Sequence, residues 1–257
     1  MKDSLTQLDQ HFALPEVRRV GLNRPLAWLK SSMQDMLANP IASLAYGLLF
    51  AIAGDVILIF AWRNPYLFTV AVSGFFLIAP LLAGGLYEIS RRQADGQHST
   101  FFDSLAGWSR NGQSMAMYGL LLALVAIVWE RTSAVFFALF VPGLTPDLAA
   151  FVTNVLLNAD YRGLTLAWFL VGGMLAILVF AISVVSIPML IDRDVDFVTA
   201  MMTSLRSVAQ NPASMLLWAA LVVLLTLAGF ATLLFGLIVL MPLLGHASWH
   251  AYRDLVE

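Results

Sequence analysis

Two histidines near the carboxyl end of the chain have the spacing of a pair of metal ligands. His246 and His250 are four residues apart, so both imidazoles would occupy one face of a helix. A metal site needs at least one more protein ligand, and the sequence does not place one beside them. The pair therefore predicts either part of a metal- or haem-handling site or, together with Trp249 and Tyr252, an aromatic rim at a membrane interface.

A single carboxylate, Asp55, lies within the apolar run from Ile41 to Trp62. An ionisable group at that depth is a functional candidate, because a charge in the hydrocarbon of a bilayer is costly. As a functional residue it would serve as the coupling site of a proton-coupled transporter. The alternatives are that Asp55 stays protonated, or that it pairs with Arg63 or Arg131 near the outer surface.

The composition shows which elements position these residues. The chain has 257 residues, of which 60% are hydrophobic and 12% are charged, whereas soluble domains are roughly 45–50% apolar and about 25% charged. The mean hydropathy of +0.82 points the same way. The elements are therefore membrane-spanning helices, each of about 20 apolar residues. The absence of cysteine excludes disulfides and thiolate-bound metals.

The apolar runs predict an all-α polytopic membrane protein with six transmembrane helices. The 33 residues between Pro212 and His246 carry no charge. As one helix they would measure about 50 Å, too long to cross a core of about 30 Å once, so we divide them into two spans near Gly229. The other four predicted spans cover residues 41–62, 66–89, about 114–128 and 164–191. Glu130-Arg131 leaves open whether the third span ends before this pair or continues with the pair turned inward.

Three parts of the chain share one order of features, which predicts a three-fold internal repeat. Each contains an amphipathic segment, an asparagine, a pair of spans and a proline late in the second span. The asparagines are Asn39, Asn111 and Asn211, and the prolines are Pro80, Pro188 and Pro242. The units cover about residues 25–92, 99–191 and 196–253, within one membrane domain at 25–257 that follows a cytoplasmic tail at 1–24.

Each unit is predicted to begin with an amphipathic helix that lies at the membrane surface. In the first, residues 25–38, one face carries Leu26, Leu29, Met33, Met36 and Leu37, and the opposite face carries Lys30, Gln34 and Asp35. In the second, Thr100 and Asp103 have the spacing of a capping box. The third covers residues 196–210.

Polar residues follow the three prolines at matching distances. Eight residues beyond them are Glu88, Asp196 and His250, and four residues beyond them are Asp192 and His246. Arg91 and Arg253, each eleven residues beyond a proline, could neutralise the carboxylates. If the units pack around an axis, these side chains meet at the cytoplasmic mouth of the bundle, where a carboxylate beside His250 would suit a proton-responsive or weak cation site. The alternative is that each residue only marks where a helix leaves the membrane.

The charge distribution predicts the orientation of the chain. Eleven of the 14 lysines and arginines lie in the amino terminus, the 89–113 and 191–212 loops and the carboxy terminus. The remaining Arg63, Arg131 and Arg162 fall on the other side. The positive-inside rule then places both termini in the cytoplasm, for a protein of the bacterial inner membrane.

Several segments resemble a family of predicted bacterial integral membrane proteins that is known only as domain of unknown function 2189. They are GGLYEISRR at 84–92, IDRDVD at 191–196, GHASWHAYRDL at 245–255 and the two Asn-Pro pairs. The likeness covers nearly the whole chain and implies a multi-pass membrane protein. Some relatives carry the label of a cytochrome c oxidase subunit, but a haem-copper catalytic subunit needs more histidines within its spans than the four that this chain has in all.

No nucleotide-binding, phosphate-loop or catalytic-triad pattern occurs, so we predict a non-enzymatic protein with no cofactor and no nucleic-acid partner. Its predicted partners are the lipid bilayer and a larger membrane complex, such as a respiratory one, in which it would be a subunit, an assembly partner or a structural component. A homo-oligomer is an open alternative. The alternative function is a small transporter or channel for a proton-coupled or lipophilic solute, and a weaker alternative is metal or haem handling.

Reporter fusions test the predicted topology. With six spans and both termini cytoplasmic, fusions after residues 64, 147 and 229 should report the periplasm, and fusions after residues 97 and 257 should report the cytoplasm. A carboxy terminus that reports the periplasm would show that the last apolar run crosses only once.

Overall fold

The computed structural model describes residues 14–63, 82–141 and 151–256 of the chain. This part is built from helices joined by short connections. The helices are α1 (Arg24–Ala38), α2 (Pro40–Arg63), α3 (Gly84–Ala94), α4 (Phe101–Ser104), α5 (Ala106–Arg110), α6 (Gly112–Phe140), α7 (Arg162–Ser183), α8 (Ser186–Asp192), α9 (Phe197–Gln210), α10 (Pro212–Ala231) and α11 (Leu237–Leu255). A π-helical turn at Val152–Leu156 and a 3-10 turn at Ala159–Tyr161 precede α7.

Four helical segments of the described chain are long and apolar enough to cross a membrane. They are Pro40–Ile59, Gly112–Phe140, Ala159–Asp192 and Pro212–Ala231. Of the six predicted spans, the second lies mostly outside the described residues, as does Pro80. The helix of the sixth, α11, is apolar only in its first half and polar in its second. The described residues therefore support a membrane protein with four candidate spans.

The third predicted span does not end at the charged pair Glu130-Arg131 but continues through it. α6 runs without a break from Gly112 to Phe140 and includes both Glu130 and Arg131. The two side chains form an ion pair with an N–O distance of 3.3 Å, and the Arg131 side chain is exposed. At ~1.5 Å per residue this pair lies about 28 Å from the start of the helix, close to the far side of a bilayer core.

Pro188 explains why α7 and α8 are separate helices. A proline has no amide hydrogen to donate to the carbonyl of the residue four positions earlier, here Val184, and its ring also crowds that carbonyl. α7 accordingly ends at Ser183, and α8 begins at Ser186.

The long uncharged run near the carboxyl end folds as two helices, as predicted. α10 ends at Ala231 and α11 begins at Leu237, a few residues beyond the break expected near Gly229. Leu233 and Leu234 turn the chain between them, with φ angles of 52° and 67°. Two neighbouring leucines in the left-handed region cost about 1–2 kcal/mol each, so tertiary contacts must hold this turn.

α11 returns along α2 at a distance that only glycine permits. A Cβ atom at Gly47 would lie 1.9 Å from the carbonyl oxygen of Ile238. Further along the same pair, a Cβ at Gly54 would meet the side chain of Leu234 at 2.8 Å. Small residues are the usual means by which membrane helices bring their backbones together.

The predicted amphipathic helix α1 is present, but its apolar face points outward. Trp28, Ser32 and Asp35 are buried, whereas Leu26 and Leu37 are more than half exposed. The expectation that Asp35 lies on the outer, polar face is therefore wrong. Asp35 is buried because it bonds Ser90 and His250. The other two residues predicted on its face, Lys30 and Gln34, are exposed, and Met36 of the predicted apolar face is buried.

Hydrogen bonds from the buried face of α1 attach it to α11. Asp254 accepts two bonds from the guanidinium of Arg24, at 2.6 and 2.8 Å, and one from the indole of Trp28 at 2.9 Å. The Ser32 hydroxyl donates to the carbonyl of Leu243 at 2.5 Å. The first described helix of the chain is thus packed against the last.

α9 repeats the inverted pattern of α1. Its buried positions are small or polar, namely Ala200, Thr203, Ser204 and Ser207. Its exposed positions include the apolar Val198, Met202 and Leu205. The short second amphipathic segment, α4 and α5, begins with the predicted capping box, in which Thr100 and Asp103 each accept a hydrogen bond from the other's backbone amide.

The three predicted asparagines end their amphipathic helices with one backbone conformation. The φ and ψ angles are −131° and 58° at Asn39, −134° and 51° at Asn111, and −128° and 48° at Asn211. In each case a new helix begins at the next residue. The bend from the amphipathic helix to the candidate span that follows is therefore the same at all three places.

Each asparagine side chain also bonds the segment that leads into another amphipathic helix. The Asn39 Oδ1 accepts from the Ser99 amide at 3.1 Å, just before α4. The Asn111 Nδ2 donates to the carbonyl of Val195 at 2.6 Å, just before α9. Asn211 binds residues 18–20, which precede α1, by accepting from the Val20 amide at 2.8 Å and donating to the Arg18 carbonyl at 2.9 Å.

A pair of glycine substitutions tests the close approach of α11 to α2. Gly47→Ala should lower the unfolding free energy by about 1–3 kcal/mol, because the added methyl group overlaps the Ile238 carbonyl and must push the helices apart. Gly173→Ala is the matched control, since nothing lies within 4 Å of a Cβ at Gly173. Unfolding midpoints in detergent should drop for the first variant and stay or rise slightly for the second; equal midpoints would contradict the packing described here.

Candidate functional site

Polar side chains gather where α3, α8 and α11 end on one side of the bundle. The amino- and carboxyl-terminal segments meet on this side too, since Val17 and Val256 form an isolated antiparallel bridge. Four of the predicted site residues, Glu88, Arg91, His246 and His250, fall into two groups here. We call them the arginine cluster, which is Glu88, Arg91, Arg92 and Arg110, and the histidine cluster, which is Asp35, Ser43, Ser90, His246 and His250.

The arginine cluster is built around a fully buried carboxylate. Glu88 accepts hydrogen bonds from Arg91 at 2.8 and 3.0 Å, from Arg92 at 2.8 Å and from Arg110 at 3.2 Å. Arg91 and Arg92 lie on the same helix as Glu88, whereas Arg110 comes from α5. A Cβ at Gly107 of α5 would lie 3.0 Å from the Glu88 Cβ, so the two helices are in close contact here. The predicted neutralisation of Glu88 by Arg91 is present.

A second carboxylate joins the ends of α8 and α11. Asp192 accepts from the Tyr252 hydroxyl at 2.7 Å and from Arg253 at 3.2 Å. The Tyr252 oxygen in turn accepts from the Arg193 guanidinium at 2.8 Å. Arg91 of the arginine cluster interacts electrostatically with Asp192. Glu88 with Arg91 and Asp192 with Arg253 therefore form two ion pairs that lie near each other at this end of the bundle.

The histidine cluster connects four helices through side chains. Ser90 of α3 donates to the Asp35 carboxylate of α1 at 2.5 Å, and its oxygen lies 2.7 Å from the His246 Nδ1. On the other side of the ring, the Ser43 oxygen of α2 lies 2.9 Å from the His246 Nε2. The His250 Nε2 lies 2.9 Å from the same Asp35 oxygen. The carboxylate beside His250 is thus Asp35, which the sequence pattern had placed on an outer face.

Counting protons shows what this chain of hydrogen bonds can do. Ser90 has one hydroxyl proton and gives it to Asp35, so the His246 Nδ1 must donate to Ser90. With a neutral ring, Ser43 donates to the His246 Nε2. With a charged ring, the Nε2 donates to Ser43, which then donates to the carbonyl of Asn39, 2.8 Å away. Rotation of one hydroxyl therefore accommodates both protonation states of His246.

The same geometry excludes two other roles for the histidines. Both nitrogens of His246 are bonded to serines, and no group of three or more His, Asp or Glu side chains in the described parts of the chain is placed to share a metal ion. Ser43 next to an imidazole has the parts of an activated nucleophile. It is, however, completely buried, as is His246, so no substrate reaches it.

Asp196 lies apart from both clusters and caps α9. Its carboxylate accepts from the amides of Val198 and Thr199 at 2.9 Å and from the Thr199 hydroxyl at 2.5 Å. Burial acts to raise the pKa of Asp196, but the hydrogen bonds from Thr199 and the backbone outweigh it and hold this pKa below its ordinary value. Among the described contacts, none joins any two of Glu88, Asp196 and His250.

Asp55 has an exposed side chain on α2 and no hydrogen-bond or ion-pair partner among the described residues. Its neighbour Gly54 packs against Leu234 in the turn between α10 and α11. Asp55 is therefore level with that turn, about 22 Å along α2 from Pro40 at ~1.5 Å per residue. The helix continues for eight residues beyond Asp55, to Arg63, so this carboxylate lies about 12 Å before the end of α2.

Sequence reasoning missed three members of the histidine cluster, Asp35, Ser43 and Ser90. A signal for one of them was present, because Asp35 lies four residues before Asn39, and the corresponding positions before Asn111 and Asn211 are Gly107 and Ser207. All three positions are buried. Comparing the three units position by position would have marked this place as an inner face.

Comparison with known proteins supports the membrane assignment without adding an activity. Residues 67–192 match the family model described as predicted integral membrane protein (DUF2189). Neither the curated proteins nor the solved structures give a match to this chain.

A pair of substitutions tests the arginine cluster. Glu88→Gln should lower the unfolding free energy by roughly 3 kcal/mol, because three guanidinium groups lose their shared, buried counter-charge. Asp95→Asn is the control: it removes another partner of Arg91, but one that is exposed, so the loss should stay below about 1 kcal/mol. Thermal unfolding in detergent measures both; a Glu88 variant as stable as the control would show that the cluster contributes nothing to the fold.

Proposed function

We propose that this chain, which resembles the predicted integral membrane proteins of domain family 2189 over residues 67–192, is a non-enzymatic protein of the bacterial inner membrane. Its role is that of a structural component, subunit or assembly partner of a larger membrane complex. The observation that carries the proposal is how the charged residues at the polar end of the bundle are used: they join helices to one another.

The predicted site carboxylates of this region support a structural role one by one. Glu88 holds α3 to α5, Asp192 holds α8 to α11, and Asp196 caps α9. Each has several partners within the chain, and Glu88 is fully buried. A side chain that binds and releases a solute needs unused hydrogen-bonding positions that the solute can reach. These contacts therefore favour a rigid scaffold over a transport cycle.

We further propose that the chain has six spans in three related units arranged around an axis, with both termini cytoplasmic. The three asparagines support this arrangement, because each bonds the entry to another unit's amphipathic helix. Asn39 of the first unit binds the entry to the second, Asn111 of the second binds the entry to the third, and Asn211 of the third binds the entry to the first. Such a cyclic order is what a closed ring of three units requires.

The second candidate function is a small transporter or channel for a proton-coupled or lipophilic solute. It is favoured by Asp55, an exposed carboxylate in a candidate span, and by the histidine cluster, which accommodates two protonation states of His246. Against it stands the position of Asp55 in the second half of α2, about 12 Å before Arg63, where a carboxylate costs less than at the centre of a bilayer.

Substitution of Asp55 separates the two functions. In a strain that lacks the chain, Asp55→Asn should restore the wild-type phenotype and the wild-type pattern of membrane complexes on native gels, because a scaffold does not need this proton. Gly47→Ala should restore neither, because it disturbs the α2–α11 packing on which a scaffold depends. If Asp55→Asn accumulates normally yet abolishes the phenotype, the transporter function is correct and the scaffold is not.

A further inference from the structure

The amphipathic helices α1 and α9 expose their apolar stripes at the same positions relative to their asparagines. In α1 the exposed residues thirteen, nine, six and two positions before Asn39 are Leu26, Lys30, Met33 and Leu37. In α9 the residues thirteen, nine and six positions before Asn211 are Val198, Met202 and Leu205, all exposed. In the shorter second segment Phe102, nine positions before Asn111, is 79% exposed.

This arrangement is the reverse of that of an amphipathic helix on a water-soluble protein. There the apolar stripe faces the core and the polar residues face the solvent. Here the inner positions seven residues before the asparagines are Ser32, Ser104 and Ser204, each with no exposed surface. α1 also buries Trp28 and Met36 and exposes Gln34. A helix with small polar residues along its inner face and an apolar stripe along its outer face is nevertheless adapted to an apolar surrounding.

The apolar stripe of α1 continues into the lipid-facing side of the span that follows. Leu37 lies one turn before Ile41, and Ile41 is followed at helical spacing by Leu44 and Leu48. These residues form one exposed apolar row across the bend at Asn39. Since α2 is a candidate membrane span, the row on α1 borders the same hydrocarbon.

One lysine, Lys30, lies within the exposed apolar stripe of α1. Lys30 is exposed between Leu26 and Met33 and has no ion-pair partner in the part of the chain that the structure describes. A lysine on the apolar face of an interfacial helix extends its ammonium group to the phosphate level while its methylenes stay in the hydrocarbon. This favours anionic headgroups.

We infer that the outer faces of α1 and α9 are inserted in the cytoplasmic leaflet of the bilayer, with Lys30 bound to anionic lipid headgroups. The inference rests on the proposed placement in the inner membrane and adds to it the partner of these two helices. The partner is phospholipid, and not a second copy of the chain or another protein.

Single cysteines in this cysteine-free chain test the inference after labelling with a fluorophore and reconstitution into vesicles of phosphatidylcholine and phosphatidylglycerol. Met33→Cys and Leu205→Cys lie on the stripes, and Gln97→Cys lies in an exposed loop as the control. The labels at 33 and 205 should be quenched by lipids with a nitroxide near the headgroup and protected from aqueous iodide, and the label at 97 should show the opposite.

Two results would overturn the inference. Iodide quenching at 33 and 205 equal to that at 97 would place the stripes in water, and protection from both quenchers would mean that protein covers them. Leu48→Cys, on α2, should be quenched by lipids with a deep nitroxide; if it is not, the membrane placement itself fails, which is a different outcome from failure at the stripes alone.

The contact between Lys30 and anionic headgroups is tested by comparing two nitroxide-labelled lipids. At Met33→Cys, nitroxide-labelled phosphatidylglycerol should quench more than nitroxide-labelled phosphatidylcholine, in keeping with a local enrichment of about fivefold for one lysine. Adding Lys30→Gln should bring the two lipids to equal quenching. Equal quenching with Lys30 present would show that the lysine selects no lipid.

Discussion

The fold depends on satisfying the backbone where a surface helix turns into a membrane span. At such a bend the last carbonyls of one helix and the first amides of the next have no partner within their helices. In apolar surroundings an unpaired backbone group costs several kcal/mol. Asn39, Asn111 and Asn211 share one bent conformation, in which each backbone carbonyl accepts the first hydrogen bond of the next helix. Each side-chain amide in addition bonds the backbone of a neighbouring segment. The bends thus fix the helices and also their neighbours.

Polar side chains of this protein connect helices to one another through hydrogen bonds. Asp254, Asp35, Glu88 and Asp192 each accept hydrogen bonds from another helix, and those of Asp254 and Asp35 involve the first described helix, α1. Between membrane helices burial from water supplies little driving force, because lipid is as apolar as the side chains it would replace. Hydrogen bonds and close glycine contacts such as that at Gly47 therefore determine which helices pack together.

The sequence was sufficient to predict the elements, since these depend on local properties. The periodicity of α1 and α9, the capping box at Thr100 and the division of the last apolar run all follow from spacing and length. The inner face of α1 was predicted wrongly because periodicity shows that two faces differ, but not which one meets lipid. Only the tertiary partners of Asp35, which are Ser90 and His250, reveal that this carboxylate is inside.

Counting residues from the prolines misplaced Asp196, because Pro188 is not at the position that corresponds to Pro242. Ser32 bonds the carbonyl of Leu243, and Ser204, at the matching position before its asparagine, bonds that of Ala181. By these contacts Ala181 corresponds to Leu243. Pro242 lies one residue before Leu243, whereas Pro188 lies seven residues after Ala181, which is about two helical turns too late. Counting from Pro188 therefore reaches too far and arrives at the cap of α9. A proline marks a helix interruption, and its distance from the equivalent contacts can change by whole turns.

The docking of α1 on α11 has a consequence for how the protein is made. α1 leaves the ribosome before Leu243 and Asp254, which bind it and which follow it by more than 200 residues. Contacts of such sequence separation form late. Until they emerge, the inner face of α1 has no partner. Its outward apolar stripe, which we infer to lie in lipid, can hold α1 at the membrane meanwhile, because that stripe does not belong to the interface. One face of the helix then keeps the nascent chain in place while the other face stays free to bind α11.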